Sequence, residues 1–132
     1  KIEGVSRALL AQLTRHRNAS FTVRSQRYCN EQDAEFIYSK DMETKFDMSN
    51  FNTMIKKEYK KLIDSGVKRE DARMILPNAA TTGLYMSLNL REFLHIYKLR
   101  SDKAAQWEIR DLVELMKNAI LEHSPELSII ID

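Results

Sequence analysis

Cysteine occurs once, at Cys29, so no intramolecular disulfide can form. The three histidines, His16, His95 and His123, are scattered and lack Cys or carboxylate partners at ligand spacing. No metal site is therefore expected, and a lone thiol fits a reducing compartment. Long apolar runs are also missing: no stretch approaches a membrane span, and no basic, then apolar, then small-residue succession opens the chain as a secretory signal would. The net charge of +2 lacks the strong basic excess of nucleic-acid-binding domains. These absences predict a cytoplasmic protein with neither a membrane nor a nucleic acid as partner. Internal repeats and low-complexity segments are absent as well.

What is present is ordinary core material and one unusual basic stretch. With 132 residues, 43% hydrophobic and 30% charged, the chain has enough for a real core but not for two, so 1–132 reads as a single domain. Val5, Leu9 and Leu13 recur every four residues behind Ser6, a capping residue, which predicts a helix from about Ser6 to Arg15. Loop and extended structure follow from Asn18 to Ser39, and Asp41 to Asn50 reads as polar linker. Phe51, Met54, Ile55, Tyr59, Leu62 and Ile63 then share one face of a helix that Gly66 stops, with the lysines between them solvated. A short helix from Arg69 to Leu76 ends at Pro77, and Glu70 and Asp71 favour its first turn.

Thr81 to Leu88 has strand composition, although Gly83 weakens it. Asn89 and Glu92 have the spacing of a reciprocal cap for a helix with Leu90, Phe93, Leu94 and Tyr97 inward and Arg91, His95 and Lys98 opposite. A long helix is expected from about Asp102 to His123, with Ala105, Ile109, Leu112, Met116, Ala119 and Ile120 in register. The apolar run Leu127 to Ile131 is expected to pair as a strand. Helices mixed with a few extended segments make the fold class α+β.

The basic stretch runs from Arg15 to Tyr28. It holds Arg15, Arg17, Arg24 and Arg27 with His16 and several hydroxyls and amides, and no Asp or Glu lies between Glu3 and Glu31, so no nearby acid in the sequence neutralises it. Guanidinium forks match phosphate oxygens, and neutral donors fix orientation around the charge, so this composition predicts an anion site. The spacing is more specific than the composition. Arg15-His16-Arg17, seven residues, then Ser25 with Gln26-Arg27-Tyr28, resembles the signature of the flavin-dependent thymidylate synthases, the ThyX family. A second block is similar to the same family in the same order: Ser65-Gly66-Val67, Glu70, Ala72-Arg73, Leu76-Pro77, Asn89, Arg91, Leu94-His95, Leu99-Arg100 and Ala105 to Arg110.

The resemblance implies the ThyX-type fold, with helices packed around an antiparallel sheet. The opening Lys1-Ile2-Glu3-Gly4 resembles the middle of a family member, so the family's N-terminal segment is expected to be lacking. The implied activity is conversion of dUMP to dTMP, with FAD as cofactor and methylenetetrahydrofolate and NADPH as co-substrates. The implied assembly is a homotetramer with shared active sites. For dUMP the resemblance implies Gln12, Arg15, the stretch Val23, Arg24, Ser25, Gln26 and Arg27 from a neighbouring subunit, Arg73 and Arg100. For FAD it implies Arg15, His16, Arg17, Asn89, Leu90, Arg91 and His95.

In the family the arginine matching Arg100 sits against the uracil ring, where a fixed positive charge favours ionisation of the ring. Ser25 is expected to donate a hydrogen bond rather than act as a nucleophile, since no base is evident for it. Thr22-Val23 stands where the family often has a polar pair. A non-catalytic relative that binds flavin or nucleotide is the alternative, and a small RNA-binding module is disfavoured by the near-neutral charge.

Overall fold

The computed structural model describes residues 1–131. A three-stranded antiparallel sheet is accompanied by helices, in the spatial order β1-β3-β2. The chain resolves into two compact units: Lys1–Leu10 with Thr22–Tyr85, and Ala11–Phe21 with the chain from Met86 onward. Among the described residues no helix is long and apolar enough to cross a membrane.

Strand β1 (Ile2–Ser6) runs directly into helix α1 (Arg7–Leu13). Ser6 makes the junction, its Oγ accepting from Leu9 N at 3.0 Å while Arg7 N donates to Ala80 O at 3.0 Å. Val5, Leu9 and Leu13, the expected stripe, are all buried. The helix ends at Leu13, two residues short of expectation. Arg15 N and His16 N bond back to Gln12 O and Leu13 O in tight turns, so the basic stretch starts on a turn.

In the first unit β1 pairs antiparallel with β3 (Thr81–Ser87), with Glu3 opposite Gly83 and Val5 opposite Thr82. The extra residue is Gly4, at φ 69°, a bulge conformation that only glycine adopts without strain. Strand β2 (Ser20–Val23) is the other neighbour of β3, and Arg24 N donates to Gly83 O at 2.9 Å. The segment expected to be polar linker is instead helix α2 (Lys40–Lys45) followed by the start of α3 (Ser49–Asp64). Helix α2 has no buried residue and so no apolar period to read. It stands on its cap, Ser39 Oγ accepting from Met42 N at 3.2 Å, and on the Asp41–Lys45 pair at 2.7 Å.

Helix α3 ends as expected at Gly66, whose φ is 87°. Gly66 N bonds Ile63 O and Val67 N bonds Leu62 O, both at 3.0 Å, the paired bonds of a Schellman stop. Of its predicted apolar face only Tyr59 is fully buried; Phe51 and Met54 are exposed. Helix α4 (Arg69–Ala72) passes into a 3-10 turn at Arg73–Ile75 before Pro77.

In the second unit, helices α5 (Leu90–Arg100) and α6 (Trp107–His123) pack through Phe93, Ile96, Ile109, Leu112 and Val113. Full burial of each such side chain contributes about 1.5–3 kcal/mol. The expected inward face of α5 omitted Ile96, while Arg91, His95 and Lys98 are exposed as expected. Helix α6 begins five residues later than expected. Asp102 Oδ1 accepts from Ala104 N at 2.8 Å and makes a local turn, after which Gln106 caps the helix through Ile109 N.

The terminal run is also corrected. Pro125–Leu127 forms a 3-10 turn that continues into helix α7 (Ser128–Ile131), not a strand. Pro125 starts the turn, and Ile131 is buried. The turn that Pro125 starts carries the three successive isoleucines into a helix against their β preference, with Ile129 and Ile130 left exposed.

Candidate functional site

The predicted residues divide between the two units. In the second lie Gln12, Arg15, His16, Arg17, Asn89, Leu90, Arg91, His95 and Arg100; in the first lie Val23, Arg24, Ser25, Gln26, Arg27 and Arg73.

In the second unit the turn after α1 buries His16 and leaves Arg15 and Arg17 exposed. Arg100, the last residue of α5, donates from Nε to His16 Nε2 at 3.1 Å and from Nη2 to Gln12 O at 3.3 Å. His95, one turn earlier on α5, sets its ring edge-on to His16, with centroids 6.3 Å apart. Four predicted residues, Gln12, His16, His95 and Arg100, are thus brought together. Burial, and then the charge of Arg100, hold the His16 imidazole below its ordinary pKa; His95 acts in the same direction and Glu92 opposes. Arg100 also lines a hollow of about 380 Å³ with Lys98, Leu99, Asp102, Ala104 and Ala105.

At the other end of α5, Asn89 Oδ1 caps Glu92 N at 2.9 Å, and Glu92 Oε2 accepts from Asn18 Nδ2 at 3.3 Å. The expected Asn89 cap is present, but the Glu92 side chain, expected to return the bond to Asn89, instead ties down the turn that follows Arg17. Asn89 and Arg91 are exposed at this helix start, beside the backbone amides of Leu90 and Arg91.

In the first unit Arg24 faces the expectation of an unneutralised stretch and overturns it. Its Nη2 lies 3.4 Å from Glu31 Oε1, and Glu31 is only 2% exposed. Arg27 Nε pairs with Glu70 Oε2 at 2.6 Å. Glu70 O accepts from Arg73 Nε at 3.0 Å, and Arg69 Nη1 donates to Tyr28 O at 2.7 Å, so α4 gathers Arg27, Tyr28 and Arg73. Ser25 Oγ accepts from Arg27 N at 3.2 Å and bends the loop between them. Val23 and Arg24 line a mostly apolar groove of about 310 Å³ with Gly83, Leu84 and Tyr85.

Among the described residues, three donors in this unit are buried without a protein partner: Gln26 Nε2, Arg7 Nη1 and the Thr82 hydroxyl. Arg7 was not anticipated. Burial, followed by the charge of Arg73, depresses its pKa, while Glu31 opposes. Nothing in the motif spacing marks Arg7. Glu31 had a signal, as the first acid after four arginines, but sequence alone does not show that it folds back onto Arg24. Among the described residues no cluster of His, Cys, Asp and Glu could hold a metal ion.

A family model described as Thymidylate synthase complementing protein matches residues 1–126. The chain is similar to the flavin-dependent thymidylate synthase of Geobacter sulfurreducens, 41% identical over 123 residues, covering 88% of this chain and 53% of that protein. It is similar to the Pyrococcus abyssi enzyme of the same name, 39% identical over 127 residues, covering 90% and 52% respectively. In structure it is similar to thymidylate synthase X (ThyX) from Helicobacter pylori, whose crystal structure contains FAD and dUMP. The TM-score is 0.69 and the identity 27%, covering 89% of this chain and 64% of that one. The chain spans about half the length of the curated relatives it matches.

Proposed function

The chain belongs to the Thymidylate synthase complementing protein family, and on that premise we propose that it acts as an FAD-dependent thymidylate synthase. The substrate is dUMP and the product dTMP, with methylenetetrahydrofolate as carbon donor and NADPH as reductant. The observation that carries the proposal is Arg100. It is a cation held on two hydrogen bonds at the wall of a hollow, at the position that the resemblance gives to the pyrimidine.

The donor chemistry fits two phosphate-bearing ligands. Nearly every residue in question is a cation or a hydrogen-bond donor, and the backbone amides of Leu90 and Arg91 open an 11-residue helix, where an anion is favoured. Arg15, His16, Arg17, Asn89, Leu90, Arg91 and His95 would hold FAD. Gln12, Arg15, the stretch Val23 to Arg27, Arg73 and Arg100 would hold dUMP, with Gln26 Nε2 supplying a buried donor that no protein group uses. FAD, when bound and reduced, supplies the hydride.

The protein's own residues bind and polarise. A guanidinium at the uracil ring stabilises negative charge on the ring, and a low-dielectric wall strengthens that effect. Ser25 Oγ accepts from Arg27 N and keeps its O–H to donate to the nucleotide. The working form is a cytoplasmic homotetramer in which Val23 to Arg27 come from a neighbouring subunit, and residues 1–132 belong to one catalytic domain.

An absorption scan of the purified chain, followed by titration with FAD, tests the proposal. A visible flavin band that dUMP perturbs is the expected result. A colourless chain that takes up no FAD contradicts it, and a chain that binds flavin and dUMP without forming dTMP is the non-catalytic alternative.

A further inference from the structure

The residue that the family resemblance places with flavin is hydrogen-bonded to the residue it places on the pyrimidine. Arg100 Nε donates to His16 Nε2. A guanidinium never gives up its charge and has no acceptor, so it requires an unprotonated partner nitrogen. His16 must then be neutral and carry its proton on Nδ1. We propose that His16 is a positioning residue that acts through Arg100: its bare Nε2, together with Gln12 O, clamps one edge of the guanidinium and leaves the remaining N–H groups for a ligand.

The geometry supports a clamp rather than a casual contact. His16 is buried on a turn fixed by the bonds from His16 N to Leu13 O and from Ala19 N to His16 O. Arg100 stands at the C-terminus of α5, where the helix dipole favours a cation. Its second bond, to Gln12 O, uses backbone that cannot swing away. If His16 also meets flavin, it has only Nδ1–H and its ring faces to offer.

Protonation would put a second N–H against the Arg100 donor and release the clamp. The charged and titratable groups facing His16 are Arg100, His95 and Glu92, all on α5. Burial, Arg100 and His95 all favour the neutral ring, and only Glu92 favours the charged one. The folded chain therefore binds the His16 proton less readily than the unfolded chain. Stability from this site is complete above the ordinary histidine value of about 6.5 and is lost as pH falls through the lower folded value.

The test is nitrogen NMR of the full chain labelled in its histidine rings, with His95→Gln and His123→Gln used for assignment. His16 is expected to show a protonated Nδ1 and bare Nε2 at neutral pH, to titrate below about 6.5, and to lose the tautomer restraint in Arg100→Gln. Protonated Nε2 at neutral pH overturns the proposal.

The functional arm rests on the dUMP site proposed above and uses calorimetry with dUMP, with flavin content read on the same samples. His16→Gln keeps an acceptor oxygen and is expected to bind within a few-fold of wild type. His16→Phe removes the acceptor and is expected to weaken binding about tenfold or more, the scale of a hydrogen bond to a charged group. Equal dUMP affinity in folded His16→Phe overturns positioning through Arg100. Failure of the wild type to bind dUMP or FAD overturns the assigned activity instead, and leaves the tautomer spectrum to decide the clamp.

Discussion

Glu31 shows how one buried side chain can carry two opposing effects. Its carboxyl is almost wholly buried, and that burial raises its pKa; Arg24 first, and then Arg7, pull the other way without cancelling the shift. Because the folded value is raised, this group's contribution to stability is complete below the ordinary carboxylate range of about 4.3 and is lost as pH rises through the folded value. Glu31→Gln removes the titration and keeps the shape. Urea unfolding at about pH 5 and about pH 8 should show the mutant gaining on the wild type as pH rises. A mutant that loses ground instead would mean that the Arg24 ion pair outweighs the burial. Arg100 gives the sharper functional prediction. Arg100→Ala should lose dUMP binding while keeping most of its flavin, because its assignment is to the pyrimidine. Loss of flavin in a folded Arg100→Ala protein would place the residue in the other site.

Elements whose signals are local and chemical were readable from the sequence. Gly66 ends α3 because its φ of 87° suits glycine alone, and the two bonds from Gly66 N and Val67 N depend on that conformation. Gly66→Ala should therefore cost about 1–2 kcal/mol in urea or thermal unfolding, with no clash involved, since no atom lies within 4 Å of the added Cβ. An unchanged midpoint would show that the stop does not rely on the left-handed backbone. Asn89 as a cap, Ser6 as a cap and β3 were legible for the same kind of reason. Helix α2 was not, because a short helix with no buried face has no period, only a Ser39 cap and one i,i+4 ion pair. The start of α6 and the fate of the final isoleucines were decided by a side-chain turn at Asp102 and by Pro125, each stronger locally than the apolar pattern around it.

At the scale of the whole molecule, the order of motif residues along the chain carried the family, and the similarities in sequence and structure agree with it. The spacing named the positions but not their partners. Arg7 and Asn18, and the partners taken by Glu31 and Glu92, became visible only once distant segments met: Glu31 on Arg24, Asn18 on Glu92, and Arg7 with its buried Nη1. Such partners leave little mark in sequence, since a single acid or amide is common on any surface. The most direct test of the proposed activity is chromatographic detection of dTMP after FAD-loaded chain is given dUMP, methylenetetrahydrofolate and NADPH. The predicted result is dTMP that appears only when FAD is present and that fails in Arg100→Ala. No dTMP from a folded chain with FAD and dUMP bound, or equal dTMP without FAD, would contradict it.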